Sequence, residues 1–130
     1  MFKRTLIVDD SSTARMVIRR CLEIGVPYNM EFFEAINGIE ALAILKKEDV
    51  DLILTDINMP EMDGRQLLRR IKSSPRLNTI PVVVISSIAN PGIESKLLSG
   101  GEVAVITKPM SPMVLAEAIE SLDITEEGES

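Results

Sequence analysis

The sequence predicts an α/β fold, a doubly wound sheet of five parallel strands, and three observations carry that prediction. Short apolar runs rich in β-branched residues recur along the chain. The clearest of them are apolar throughout, as strands buried on both faces of a parallel sheet must be, and do not alternate with polar residues. Amphipathic stretches separate these runs, so strand and helix alternate five times, the pattern of right-handed βαβ crossovers.

The strands are predicted at 5–8 ("TLIV"), 30–35 ("MEFFEA"), 52–54 ("LIL"), 80–85 ("IPVVVI") and 103–107 ("VAVIT"). Ala14, Val17, Ile18, Cys21 and Leu22 keep three-and-four spacing and mark the first helix, and Gly38, Ala41, Leu42 and Leu45 mark the second. Leu67, Leu68 and Ile71 define a third helix, and Leu115, Ala118, Ile119 and Leu122 define the last. Ser11 or Ser12 is the expected cap of the first helix, while Ser111 followed by Pro112 opens the last in the order that helix starts favour. The stretch 90–102, "NPGIESKLLSGGE", offers few apolar positions, with Pro-Gly near its start and Gly-Gly near its end. It predicts a short, poorly formed helix. The expected domain spans 1–123, followed by an acidic flexible tail at 124–130.

A chain of 130 residues, 45% hydrophobic, builds one core. Its net charge of −6 argues against nucleic acid or an anionic membrane as partner, because either calls for a surplus of Lys and Arg. "MFKRTLIVDD" lacks the apolar run of a signal peptide and no segment reaches transmembrane length, so a cytoplasmic location is expected. Cys21 has no second cysteine to pair with and reads as a small core residue. The chain holds no histidine, which excludes His-assisted triads, His-ligated zinc and phosphohistidine on this chain.

Chemistry in an open parallel sheet gathers beyond the carboxyl ends of the strands. There the sequence places Asp9 and Asp10 after the first strand, Asp56 at the end of the third, Ser86 and Ser87 after the fourth and Lys108 after the fifth. Singly, each reads as a turn, cap or loop residue. Together, three acids, a hydroxyl and a lysine at one rim read as a site. Crowded carboxylates repel, and a cation is the natural resolution. Oxygen-only ligands select a hard ion, and two or three carboxylates plus water suit Mg²⁺ better than a Ca²⁺ cage. An EF-hand reading of "DINMPEMDG" fails, because the obligatory glycine would be Glu61 and the closing acid Leu67. Neither a GxxxxGK[ST] nor a GxGxxG motif is present. A cation beside one central aspartate, faced by a hydroxyl and an ammonium, suits transient phosphorylation of Asp56 with Ser86 and Lys108 each pairing a phosphoryl oxygen.

Four ordered motifs, "LIVDDSSTAR", "DLILTDINMPEMDG", "IPVVVISS" and "VITKPM", resemble the receiver domains of two-component response regulators over residues 4–122. Within that family the resemblance is to stand-alone, chemotaxis-type (CheY-like) receivers. It implies a flavodoxin-like (βα)5 sheet of order 2-1-3-4-5. It implies Asp56 as phosphoacceptor, supplied by a sensor histidine kinase or a histidine phosphotransfer protein. It further implies Mg²⁺ held by Asp10, Asp56 and the Asn58 main-chain carbonyl, with Asp9 acting through water. Ser86 matches the switch hydroxyl, and Lys108 matches the lysine whose bond to Pro109 is cis. The protein would be a signalling receiver with only self-phosphorylation and autodephosphorylation chemistry. Its implied partner is a separate protein effector, with no nucleic acid or membrane, and the chain a monomer or weak dimer. A phosphate sink or relay is the alternative reading. An aspartate-phosphate hydrolase is disfavoured, since "VDDSST" departs from its DxDxT pattern.

Departures bear on output. Where the family carries Tyr or Phe three residues before the lysine stands Val105, and where an aromatic often follows Lys-Pro stands Met110. Ile88 occupies the position two after Ser86, where polar residues in relatives help place attacking water. Asp63 reads as a helix cap, and Pro60 and Gly64 as the turn into the third helix.

Overall fold

A computed structural model describes residues 1–57, 59, 61–86, 103–107 and 110–128. Its strands are β1 (Arg4–Val8), β2 (Glu31–Ala35), β3 (Leu52–Asp56), β4 (Val82–Ser86) and β5 (Val103–Thr107). They form one sheet of order β2-β1-β3-β4-β5, and every pairing is parallel. The helices among the described residues are α1 (Ser12–Gly25), α2 (Gly38–Lys47), α3 (Gly64–Lys72) and α4 (Pro112–Gly128). Asn58, Pro60, Ser87, Ile88, the stretch 90–102, Lys108 and Pro109 lie outside the described residues.

Strand side chains alternate between faces, and here both faces are covered. Leu6, Val8, Ile53, Val82 and Val84 join Ala41 and Leu45 of α2 and Leu67, Leu68 and Ile71 of α3 in one core layer. Ile7, Leu52, Leu54, Val83 and Ile85 join Ile18, Cys21 and Leu22 of α1 and Leu115, Ile119 and Leu122 of α4 in the other. Continuous apolar runs follow from this arrangement, because every residue of β3 and β4 is buried.

The helices begin where the cap chemistry places them. Ser11 accepts from the Ala14 amide at 3.2 Å, and Asn37 Oδ1 accepts from the Glu40 amide at 2.8 Å. Asp63 and Gln66 form a reciprocal capping box, each side chain bonded to the other's backbone amide at 3.0 and 3.1 Å. Ser111 Oγ accepts from the Val114 amide at 3.2 Å, with Pro112 as the first helical residue. Val17 points outward at 44% exposure, so the buried stripe of α1 is Ile18, Cys21 and Leu22. The backbone of α4 runs on to Gly128.

Candidate functional site

The carboxyl ends of β1 and β3, the two central neighbours, bring three acids together. Asp9, Asp10 and Asp56 each offer an oxygen, and these oxygens all lie within 4.8 Å of one another. Asp9 and Asp56 are buried at 2% and 7% exposure, while Asp10 is exposed at the rim. Local backbone contacts fix the two buried carboxylates: Asp9 Oδ1 accepts from the Ser11 amide and Asp56 Oδ1 from the Ile57 amide, both at 2.9 Å.

The donor set fits a small hard cation. Two oxygens on opposite sides of Mg²⁺, each at 2.0–2.1 Å, stand about 4.1 Å apart. Three carboxylates already within 4.8 Å therefore reach one ion with small side-chain adjustments. Buried charge of one sign is tolerated when it is paired or coordinates a metal, and an oxygen-only set favours Mg²⁺ over thiophilic or imidazole-seeking metals.

The chain around Asp56 is built for close approach. Thr55 Oγ1 donates to the Asp56 carbonyl at 3.0 Å, and the Ile57 amide also reaches the Ile85 carbonyl at 3.2 Å. Gly64, the first residue of α3, donates its amide to the Ile57 carbonyl at 2.9 Å. A Cβ on Gly64 would fall on the Asp56 carbonyl oxygen and within 2.9 Å of the Ile57 Cα. Gly64 is therefore needed for contact, where the sequence reading assigned it to a turn. Asp63 acts as the cap anticipated for it.

Ser86 ends β4 and is buried at 6% exposure, one residue beyond Ile85, which registers with Asp56. It pairs in register with Thr107, the residue before Lys108. Val105 sits opposite Val84, half-buried against the α2 and α3 core layer.

Sequence reasoning missed the supports behind these residues. Arg15 donates Nη1 to the Asp9 carbonyl at 2.7 Å and pairs Nε with Glu34 Oε1 at 2.8 Å, tying the acidic turn to β2. Glu61 has φ of 66°, a left-handed conformation uncommon outside glycine. Asn37 Nδ2 donates to Glu61 Oε2 at 3.3 Å, and the Gly38 amide to the Met62 carbonyl at 3.0 Å. The Met62 side chain occupies the space a Cβ on Gly38 would take, its nearest atom 2.6 Å away. A clue was present in "INGIEA", where Asn-Gly sits at a helix start facing the Asp56 loop across the sheet rim.

Residues 5–120 match the family described as response regulator receiver domain. The chain belongs to the response regulator receiver family. It is 34% identical over 128 residues to the chemotaxis protein CheY homolog of Campylobacter jejuni, covering 97% of this chain and 96% of that one. It is 40% identical over 120 residues to the gliding motility regulatory protein of Myxococcus xanthus, matching 92% of this chain and 15% of that longer protein. Its fold superposes with TM-score 0.80 on a CheY-like receiver domain protein from Methanospirillum hungatei, 32% identical, covering 98% and 99% of the two chains. The receiver assignment accounts for the 2-1-3-4-5 order and for acids clustered at the ends of β1 and β3. Among the described residues of this receiver, no helix is long and apolar enough to cross a membrane.

Proposed function

We propose that this receiver accepts a phosphoryl group on Asp56 from a sensor histidine kinase or histidine phosphotransfer protein, and that the change switches binding to a separate effector protein. The convergence of Asp9, Asp10 and Asp56 within 4.8 Å carries the reading. An Asp56 carboxylate oxygen forms the new P–O bond as the P–N bond of the donor phosphohistidine breaks, and the imidazole leaves. Asp10, Asp56 and the Asn58 main-chain carbonyl would hold Mg²⁺, with Asp9 acting through water. Bound there, the ion supplies charge neutralisation for phosphoryl oxygens and a template for in-line attack. Ser86 donates a hydrogen bond to a phosphoryl oxygen and the Lys108 ammonium pairs another. Burial of Asp9, Asp56 and Ser86 makes such pairings stronger than they would be in water. The C. jejuni relative is named a chemotaxis protein, which supports chemotaxis as the setting, with a cytoplasmic location as part of the same proposal.

A second reading, a phosphate sink or relay, is favoured by one residue. Val105 is β-branched and packed against the core, so it lacks the two poses, buried and exposed, that an aromatic offers there. A sink needs no such readout.

Intact mass after incubation with acetyl phosphate tests the proposal. A gain of one phosphoryl group that requires Mg²⁺ and is absent in Asp56→Asn is the expected result. A folded, Mg²⁺-binding protein that gains nothing would contradict it.

A further inference from the structure

The surface between α2 and α3 concentrates positive charge around exposed apolar side chains. α3 carries Arg65, Arg69, Arg70 and Lys72 with no acid, and α2 ends on Lys46 and Lys47, in a chain of net charge −6. Cations in a last turn are favourable to the helix dipole, which accounts for Lys46 and Lys47 on α2 and for Arg69, Arg70 and Lys72 on α3, each helix taken separately. It does not account for what lies between them. Ile39 is 53% exposed, and together with Leu42, Ala43 and Met62 it floors a groove rimmed by Lys46, Lys47 and Arg70. Those three cations are in no salt bridge among the described residues.

We propose that this groove docks an acidic amphipathic helix of a partner protein. Ile39, Leu42, Ala43 and Lys46 stand at i, i+3, i+4 and i+7 on α2 and form one ridge, the spacing by which a helix presents itself to a second helix. A partner helix with apolar residues at the same spacing buries Ile39, Leu42 and Met62, and flanking Asp and Glu meet the three unneutralised cations. Charge also fixes the location. Lys46, Lys47 and Arg70 rim this groove, whereas α4 exposes Glu117 and Glu120, so an acidic partner is attracted to the groove and repelled from the surface of α4. The inference stands apart from the phosphorylation reading, since it uses no residue of the acidic cluster.

The test is an amide NMR titration of the full chain, ¹⁵N-labelled, with a stapled helical peptide bearing Leu at i, i+3, i+4 and i+7 and Glu elsewhere. A matched peptide with Lys in place of Glu is the control. Saturable shifts confined to the α2–α3 groove, weakened by salt and at least tenfold weaker in Lys46→Glu/Arg70→Glu, are expected. Far-ultraviolet circular dichroism confirms that the double variant folds. Equal binding of the Lys peptide, shifts centred elsewhere, or no saturable shift would overturn the proposal. So would sedimentation with phosphatidylglycerol vesicles lost in the double variant, which would assign the face to a membrane, or concentration-dependent self-association lost in it, which would assign the face to a second copy.

Discussion

The α-carbon of Gly64 packs so closely against Asp56 that any side chain at position 64 would strike the Asp56 carbonyl oxygen. The start of α3 is thus seated directly on the residue proposed to carry the phosphoryl group. Adding atoms to a tightly packed contact costs roughly 1–3 kcal/mol through forced shifts of the neighbours. Gly64→Ala is therefore predicted to lower stability by about that amount and to displace the end of β3. Urea unfolding measures the first, and Mg²⁺ titration by calorimetry the second, with weaker binding than wild type expected.

Asn37 does two things at once: it caps α2 and holds the left-handed Glu61 through its side-chain amide. Asn37→Ala loses both and is predicted to cost about 1–2 kcal/mol, since loss of a cap alone costs about 1 kcal/mol. Asn37→Ser restores a cap but not the reach to Glu61, and recovers only part of the loss. Thermal unfolding of the two variants gives the order. Asn37→Ser as stable as wild type would show that the Glu61 contact contributes nothing, and equal stability of the two variants would show the same of the cap.

Burial pushes the Cys21 thiol above its ordinary range. The unfolded chain then loses this proton at lower pH than the folded one, so the stability tied to the protonated thiol is full below the ordinary cysteine range and is lost as pH rises through the raised value. Wild type is predicted to lose urea resistance between neutral and strongly alkaline pH more steeply than Cys21→Ala. Parallel slopes in the two proteins would rule this out.

Much of the fold was legible because parallel strands covered on both faces cannot hide their composition. "LIL" and "IPVVVI" are apolar throughout, and Ser11, Asp63 and Ser111 announce helix starts by chemistry local in sequence. Val17 keeps the apolar spacing of α1 and yet points outward, because helical spacing says which residues share a stripe, not how wide the buried part is. The clustered acids were legible since Asp9 and Asp10 come in succession after the apolar β1 and Asp56 ends β3. Arg15, Asn37, Gly38 and Glu61 were not, because their partners lie on other elements and no local pattern marks such a contact. Gly64 was read as a turn former because sequence shows that a side chain is missing, not what occupies its place.

Ile88 stands two residues beyond Ser86, the last residue of β4. An isoleucine cannot hydrogen-bond a water attacking the acyl phosphate, so slow loss of the phosphoryl group is predicted. Ile88→Glu should shorten its lifetime severalfold, followed by intact mass against time after removal of the phosphodonor. An unchanged lifetime would place control of hydrolysis elsewhere.

The central claim is that Asp56, among the three clustered acids, forms the acyl phosphate. Borohydride reduces an aspartyl phosphate to homoserine, so trapping after acetyl phosphate treatment followed by peptide mass mapping reads the modified position directly. Homoserine at position 56 alone, dependent on Mg²⁺, is the predicted result. Homoserine at Asp9 or Asp10, or at no acid in a protein that has gained phosphoryl mass, would contradict the account.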